Sequence, residues 1–76
     1  MNHLSKNLKH LRKQLGKSGA AVASDFFKDE REIINFRNSL NHYENGRVNP
    51  NLTTIIDLAN YYGVEVGDLI TKDLTI

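Results

Sequence analysis

The chain has 76 residues, no cysteine, ten basic and nine acidic residues, and a formal net charge of +1. This length allows one modest hydrophobic core, so we expect residues 1–76 to form a single domain. The lack of cysteine excludes a disulfide framework and a cysteine-ligated zinc site, and no run of about 20 apolar residues is present to span a membrane.

The first predicted helix covers roughly residues 3–15. Four leucines recur at intervals of four, three and four residues, which places them on one stripe of a helix. They are Leu4, Leu8, Leu11 and Leu15. We expect Asn2 or Ser5 to cap the start of the helix and Gly16 to end it. Charged residues interrupt these leucines, so the chain has no signal peptide pattern and we expect it to be cytoplasmic.

A second, short helix is predicted to begin at Ser18, whose hydroxyl is a good helix cap. We expect Gly19 in its first turn, because glycine in the middle of a helix costs up to about 1 kcal/mol relative to alanine. Val22 and Phe26 then form the core side, with Phe27 beside them.

Asp29 followed by Glu32 resembles a capping box and predicts a third helix that reaches Asn45. Its apolar residues recur at three-, four- and three-residue intervals. They are Ile33, Phe36, Leu40 and Tyr43. Gly46 favours the open backbone that stops a helix, and Pro50 prevents its resumption nearby.

Two further helices are predicted after Pro50. Asn51 is expected to cap a fourth helix that Gly63 terminates, and a fifth covers roughly residues 65–71. The apolar residues of the fourth helix are Leu52, Ile55, Ile56, Leu58 and Ala59, with Tyr61 and Tyr62 near its end. Those of the fifth are Val64, Val66, Leu69 and Ile70. Since no strand-type alternation persists, the predicted fold is all-α, a compact five-helix bundle.

Three segments in order resemble the family of lambda-type repressors and Cro proteins, called the Xre family. They are residues 8–16 (LKHLRKQLG), residues 43–50 (YENGRVNP), and residues 58–64 (LANYYGV) with residues 68–70 (DLI). The resemblance reaches from Leu4 to about Ile70. It implies a lambda-repressor-like, helix-turn-helix DNA-binding domain of bacterial or phage type, with the third helix as the recognition helix in the major groove.

The resemblance implies that polar residues between the core positions of the third helix read DNA bases. Arginine can bind guanine O6 and N7 with two donors, and asparagine can pair with adenine N6 and N7. The base-reading set is Arg37, Asn38, Ser39, Asn41 and His42. Without the flanking segments that resemble the family, the same residues would indicate only an ordinary solvated helix face.

Phosphate contacts are implied at the start of the second helix and in the turn after the third, where backbone amides bind phosphate without specifying sequence. The phosphate-contacting set is Lys17, Ser18, Gly19, Asn45, Gly46, Arg47 and Asn49. The resemblance also pairs Arg12 with Glu44 as a structural ion pair that ties the first helix to the third.

The chain departs from the family at two places. Gly19 stands where relatives commonly have a glutamine that braces the recognition helix or touches the DNA backbone. About seven extra residues, approximately 28–34, precede the recognition helix. Because seven residues make almost two helical turns, we expect an extended recognition helix rather than a loop. The extension adds Asp29, Glu30 and Glu32, which repel phosphate.

These features predict a sequence-specific regulator of transcription that binds double-stranded DNA, acts like a repressor, and works as a homodimer at the nucleoid. The first 28 residues carry a net charge of +5 and the remainder −4, so one face can be basic although the total is near zero. The dimer surface is expected on the fifth helix and tail, where Leu74 and Ile76 lack an obvious core partner; a frayed terminus is the equal alternative.

The alternative function is a protein-interaction module, such as an antirepressor, antitoxin or co-regulator, that keeps the fold and binds a protein partner through the insertion. An enzyme is not expected, since no nucleophile–base pair or glycine-rich phosphate loop is present, and no cofactor is implied. The three histidines lack the spacing of a zinc site, so no metal is expected. They are His3, His10 and His42.

Overall fold

Five α-helices and no strand make up residues 2–76, the part of the chain that the computed structural model describes. The helices are α1 (Leu4–Gln14), α2 (Gly19–Phe26), α3 (Glu30–Glu44), α4 (Leu52–Tyr62) and α5 (Val66–Thr71). The predicted all-α, five-helix fold is therefore confirmed. Among these residues, no helix has the length and apolar character needed to cross a bilayer.

Side-chain caps begin the three middle helices at the predicted residues. Ser18 Oγ accepts from the amide of Ala21 at 3.1 Å, Asp29 Oδ2 from Glu32 at 3.2 Å, and Asn51 Oδ1 from Thr54 at 2.8 Å. Each cap supplies a partner to an amide that the helix itself leaves free, which explains why the sequence placed these starts correctly. At the start of α1 the N-cap is His3, which makes no side-chain capping bond, so neither Asn2 nor Ser5 is the cap; the side chain of Asn2 accepts from the amide of Leu4 at 3.3 Å.

The sequence predicts α3 as the recognition helix. It is longer than the helices on either side of it, α2 and α4, because it continues back to Glu30. Only residues 27–29 separate it from α2. The segment expected to extend the helix is thus helical from Glu30 onward, and a loop at residues 30–34 is ruled out. At the other end Gly46, with φ +72°, turns the chain out of the helix, a conformation that a residue with a Cβ adopts only under strain.

All five helices contribute to one core. The buried apolar residues are Leu4, Leu8, Leu11, Val22, Ala23, Leu40, Leu58, Ala59 and Leu69. The predicted apolar face of α3 is confirmed, since Ile33, Phe36 and Tyr43 pack against this core beside Leu40. Three predicted apolar residues are instead exposed. They are Leu15, which follows the end of α1, and Leu52 and Ile56, which lie one turn apart at the start of α4.

Asn7 is a polar residue in the middle of this core, and its side chain has no exposed surface. Its Nδ2 donates to the carbonyl oxygens of Leu69 at 2.9 Å and Lys72 at 2.6 Å, while its Oδ1 accepts from the amide of Leu74 at 3.0 Å. The side chain of Leu74 packs against the core, so the expectation that it lacks a core partner is wrong. Ile76 is fully exposed.

Candidate nucleic-acid interface

An ion pair fixes the end of α3 against α1. Arg12 donates from Nε to Glu44 Oε2 at 2.8 Å and from Nη2 to Glu44 Oε1 at 3.0 Å. Its third nitrogen, Nη1, donates to the carbonyl oxygen of Lys17 at 3.0 Å, just before α2. The Glu44 side chain is only 8% exposed. One guanidinium therefore joins α1, the start of α2 and the end of α3.

Tyr62 lies close enough to this pair for its ionisation to be affected. Burial, with a smaller contribution from the nearby Glu44 carboxylate, raises the pKa of the Tyr62 hydroxyl well above its usual 10.0, so Tyr62 stays neutral. The hydrogen bond to Glu44 raises the pKa of Arg12 above its usual value. Arg12 therefore remains charged at every pH at which the domain is expected to fold.

A groove of about 360 Å³ runs between the N-terminus of α2 and one side of α3. Its lining residues are Arg12, Ser18, Gly19, Ala20, Arg37, Asn38, Leu40, Asn41 and Glu44. A Cβ added to Gly19 would lie 3.6 Å from Cγ of Arg37, an ordinary van der Waals distance. The aliphatic part of Arg37 thus packs over the first turn of α2, at the position where the family resemblance led us to expect a glutamine.

The predicted base-reading residues divide into two groups. Arg37, Asn38 and Asn41 are exposed and line the groove together. Ser39 is half-buried and lies elsewhere, in a depression of about 290 Å³ beside Phe27 and Phe36. His42 is also half-buried, and its Nδ1 is buried without a hydrogen-bond partner among residues 2–76. We therefore treat Arg37, Asn38 and Asn41 as one surface, and Ser39 lies outside it.

Two side-chain hydrogen bonds orient the amides in this groove. Arg37 donates from Nη2 to Asn38 Oδ1 at 3.3 Å, and Asn45 donates from Nδ2 to Asn41 Oδ1 at 3.1 Å. Each bonded carboxamide oxygen keeps a second lone pair, and each NH₂ group keeps its donors. The two asparagines are therefore held in place with free hydrogen-bonding capacity.

The predicted phosphate-contacting residues lie in two places rather than on one continuous surface. Ser18 and Gly19 lie at the groove, and Gly46, Arg47 and Asn49 are exposed in the turn after α3. Asn45, also exposed in that turn, is bonded to Asn41.

Lys17 is held away from the groove by an ion pair. Its Nζ lies 2.5 Å from Asp25 Oδ2 and 3.4 Å from the hydroxyl of Tyr61. The hydrogen bond from Lys17 lowers the pKa of Asp25, so this carboxylate remains an anion that neutralises the ammonium. Binding a phosphate through Lys17 would require this contact to break. Residue spacing does not predict this ion pair, because Asp25 follows Lys17 by eight residues and lies in another element.

Ile34 and Asn35 are exposed on α3 one helical turn before Asn38, but neither lines the groove. Ile34 lies in a depression with Glu30 and Arg31, and Asn35 lies with Ser39 in the depression beside Phe27.

Comparison with known protein families gives one match. A family model described as a helix-turn-helix domain matches residues 5–74, which reach from the first turn of α1 to the tail beyond α5. No curated protein and no solved structure matches the chain.

Proposed function

The chain belongs to the family of helix-turn-helix domains, and we propose that it is a sequence-specific, double-stranded-DNA-binding regulator of the Cro and lambda-repressor type. In this proposal it is a cytoplasmic, repressor-like protein, and α3 enters the major groove. The observation that carries the proposal is the groove between α2 and α3, where Arg37, Asn38 and Asn41 are exposed side by side. Their donors and acceptors suit the base edges of the major groove.

Phosphate binding in this proposal comes from both sides of α3. The free amides at the start of α2, near Ser18 and Gly19, favour an anion because the N-terminus of a helix carries partial positive charge. The exposed turn after α3 adds the backbone of Gly46 and the guanidinium of Arg47. Such contacts position the domain, while the side chains of α3 select the sequence.

We further propose that the protein acts as a homodimer. One domain of this size reads only a few base pairs, and two copies gain affinity and specificity by spanning half-sites about one helical turn apart. With Leu74 packed against the core, the tail after α5 offers Ile76 but no continuous apolar strip.

A protein-interaction module remains a second candidate because the first turn of α3 is acidic. Asp29, Glu30 and Glu32 are all exposed, and the first two line a depression with Arg31 and the exposed Ile34. Three carboxylates with one guanidinium near an apolar residue suit a basic protein partner better than they suit phosphate. The way in which the affinity for duplex DNA depends on salt concentration distinguishes the two candidate functions.

We expect the affinity for a mixed-sequence duplex to fall about 100-fold or more between 50 and 200 mM salt, because phosphate contacts release counterions. Fluorescence anisotropy of a labelled duplex measures this. Arg47→Ala is expected to reduce the slope of log affinity against log salt by about one. The matched control is Lys72→Ala, which removes an exposed basic residue at the end of α5 and should leave the slope unchanged. Absence of salt-dependent duplex binding would refute the DNA-binding proposal.

A further inference from the structure

Two lysines on the outer side of α1 have no acidic partner. Lys9 and Lys13 are both exposed, and neither forms an ion pair with a carboxylate of residues 2–76. The other lysine and the arginine of this helix, Lys6 and Arg12, are each paired with a carboxylate, at 2.9 Å and 2.8 Å. We call Lys9 and Lys13 the lysine pair.

The two charges of the lysine pair repel each other. Lys9 and Lys13 are four residues apart, so they lie on neighbouring turns of the same side of α1, where like charges destabilise a helix. The helix itself contains no aspartate or glutamate that could offset this repulsion. An anion with several charges relieves it by binding both ammonium groups. The lysine pair is therefore suited to a polyanion.

One end of the lysine pair leads to the turn after α3. Ser5, Lys9 and Lys13 recur at four-residue intervals, which places them on one stripe of α1. A Cβ added to Gly46 would lie 3.5 Å from Oγ of Ser5, so the first turn of α1 lies against this turn. The exposed Arg47 is the next residue of the turn. The stripe thus begins beside one of the two places proposed to bind phosphate.

The other end of the lysine pair adjoins the start of α2, the second of these places. The carbonyl oxygen of Lys13 accepts from the amide of Gly16 at 3.0 Å, in the short connection to α2. Arg12, directly before Lys13, lines the groove and donates to the carbonyl oxygen of Lys17. Neither Lys9 nor Lys13 lines the groove itself. The lysine pair therefore lies outside the groove, on the helix that connects the two phosphate-binding places.

The spacing of the lysine pair suits the phosphates of a DNA strand. Four residues span about 6 Å along a helix, and the phosphates of one strand follow each other every 3.4 Å or so along the duplex axis. Two ammonium groups on flexible stems can each bind a different phosphate. Because α1 lies beside the groove and not in it, the phosphates it reaches belong to base pairs that flank those contacted by α3.

We infer that the lysine pair of α1 is a further DNA-binding site, which takes the backbone phosphates that flank the base pairs contacted by α3. The site adds affinity and no sequence preference, because phosphate contacts carry no direct sequence information. DNA suits the lysine pair better than an acidic protein does, because α1 joins the two places proposed to bind phosphate. This inference rests on the proposed DNA-binding function and extends the interface from α2 and α3 to α1.

The inference is tested with one duplex, selected from random DNA, in two lengths: the selected site alone, and the site with about ten further base pairs, one helical turn, at each end. Fluorescence anisotropy measures both affinities. We expect Lys9→Ala/Lys13→Ala to weaken binding to the longer duplex about 10- to 60-fold at about 100 mM salt and to lower the salt slope by about two. Binding to the shorter duplex should stay close to that of the parent. Lys9→Arg/Lys13→Arg should bind both duplexes as the parent does.

The matched control is Lys6→Ala/Lys72→Ala, which removes two ammonium groups that carboxylates already hold. It should keep the parent's dependence on duplex length, and circular dichroism checks that all variants are folded. Equal weakening on both lengths by Lys9→Ala/Lys13→Ala overturns the inference while DNA binding stands. Unchanged binding of that variant to the longer duplex also overturns it and favours an acidic protein as the partner of the lysine pair. Failure of the parent to bind any duplex overturns the proposed function itself.

Discussion

Replacing Asn7 with alanine is expected to destabilise the domain by about 3 kcal/mol. The substitution removes one side chain and leaves three backbone groups at the end of the chain without their partner: the carbonyls of Leu69 and Lys72 and the amide of Leu74. Each buried polar group without a partner costs about 1–3 kcal/mol, and water can reach two of the three groups, which are only partly buried.

An effect of this size is large for a chain of 76 residues. Small domains are stable by only about 5–15 kcal/mol, so Asn7→Ala would remove a substantial part of the total. The melting temperature should fall by about 12–24 °C, because 1 kcal/mol corresponds to about 4–8 °C at this size. Urea unfolding followed by circular dichroism measures the free energy directly. Asn60→Ala is the control, and a surface substitution of this kind changes stability by less than about 0.5 kcal/mol. Equal stability of the two variants would contradict the role assigned to Asn7.

Breaking the pair between Arg12 and Glu44 is expected to cost about 2–3 kcal/mol for either Arg12→Met or Glu44→Leu. Removing one member of a buried pair leaves the other charge without compensation, which costs about 3–5 kcal/mol at full burial. Arg12 is 18% exposed, so we expect a somewhat smaller value. Arg12→Met also removes the hydrogen bond to the carbonyl of Lys17, so it should be the more damaging of the two.

The double variant Arg12→Met/Glu44→Leu should be more stable than the sum of the single changes predicts, with a coupling energy of about 2 kcal/mol. The exposed pair between Lys72 and Asp68, with its nitrogen and oxygen 3.4 Å apart, is the control, and its coupling should be below about 0.5 kcal/mol. If the stability changes of the single variants at Arg12 and Glu44 add up to that of the double variant within about 0.5 kcal/mol, the contact between α1 and α3 does not stabilise the fold.

Local signals in the sequence account for the correct part of the fold prediction. Ser18, Asp29 and Asn51 each cap a helix through their own side chain, and a cap needs only the following three residues. The three- and four-residue spacing of Ile33, Phe36 and Leu40 likewise predicted that the helix starts before Arg37, as α3 does. Such features are decided within one or two turns of helix, so they can be read before any tertiary contact is known.

Features that depend on contacts between distant residues were missed. Asn7 was not singled out in the sequence, and only the return of residues 69–74 makes it a buried hydrogen-bonding centre. The same return gives Leu74 its core contact. The ion pair of Lys17, a predicted phosphate-contacting residue, with Asp25 also joins two elements and could not be identified from spacing.

The exposure of the proposed base-reading residues was also predicted only in part. Arg37, Asn38 and Asn41 follow from helical spacing, whereas Ser39 and His42 have the same polarity but are half-buried in the folded chain. How far a side chain near the edge of a helical face is buried depends on what packs beside it, and the periodicity of the sequence does not specify these neighbours.

The central claim is that the exposed side chains of α3 read the sequence of double-stranded DNA. It is tested most directly by selecting bound sequences from random duplex DNA with the parent protein, Arg37→Ala and Asn41→Ala. We predict a defined consensus for the parent and, for each variant, lost preference at one position with a discrimination of about 1–3 kcal/mol removed there. A parent consensus retained unchanged by both variants would contradict the claim.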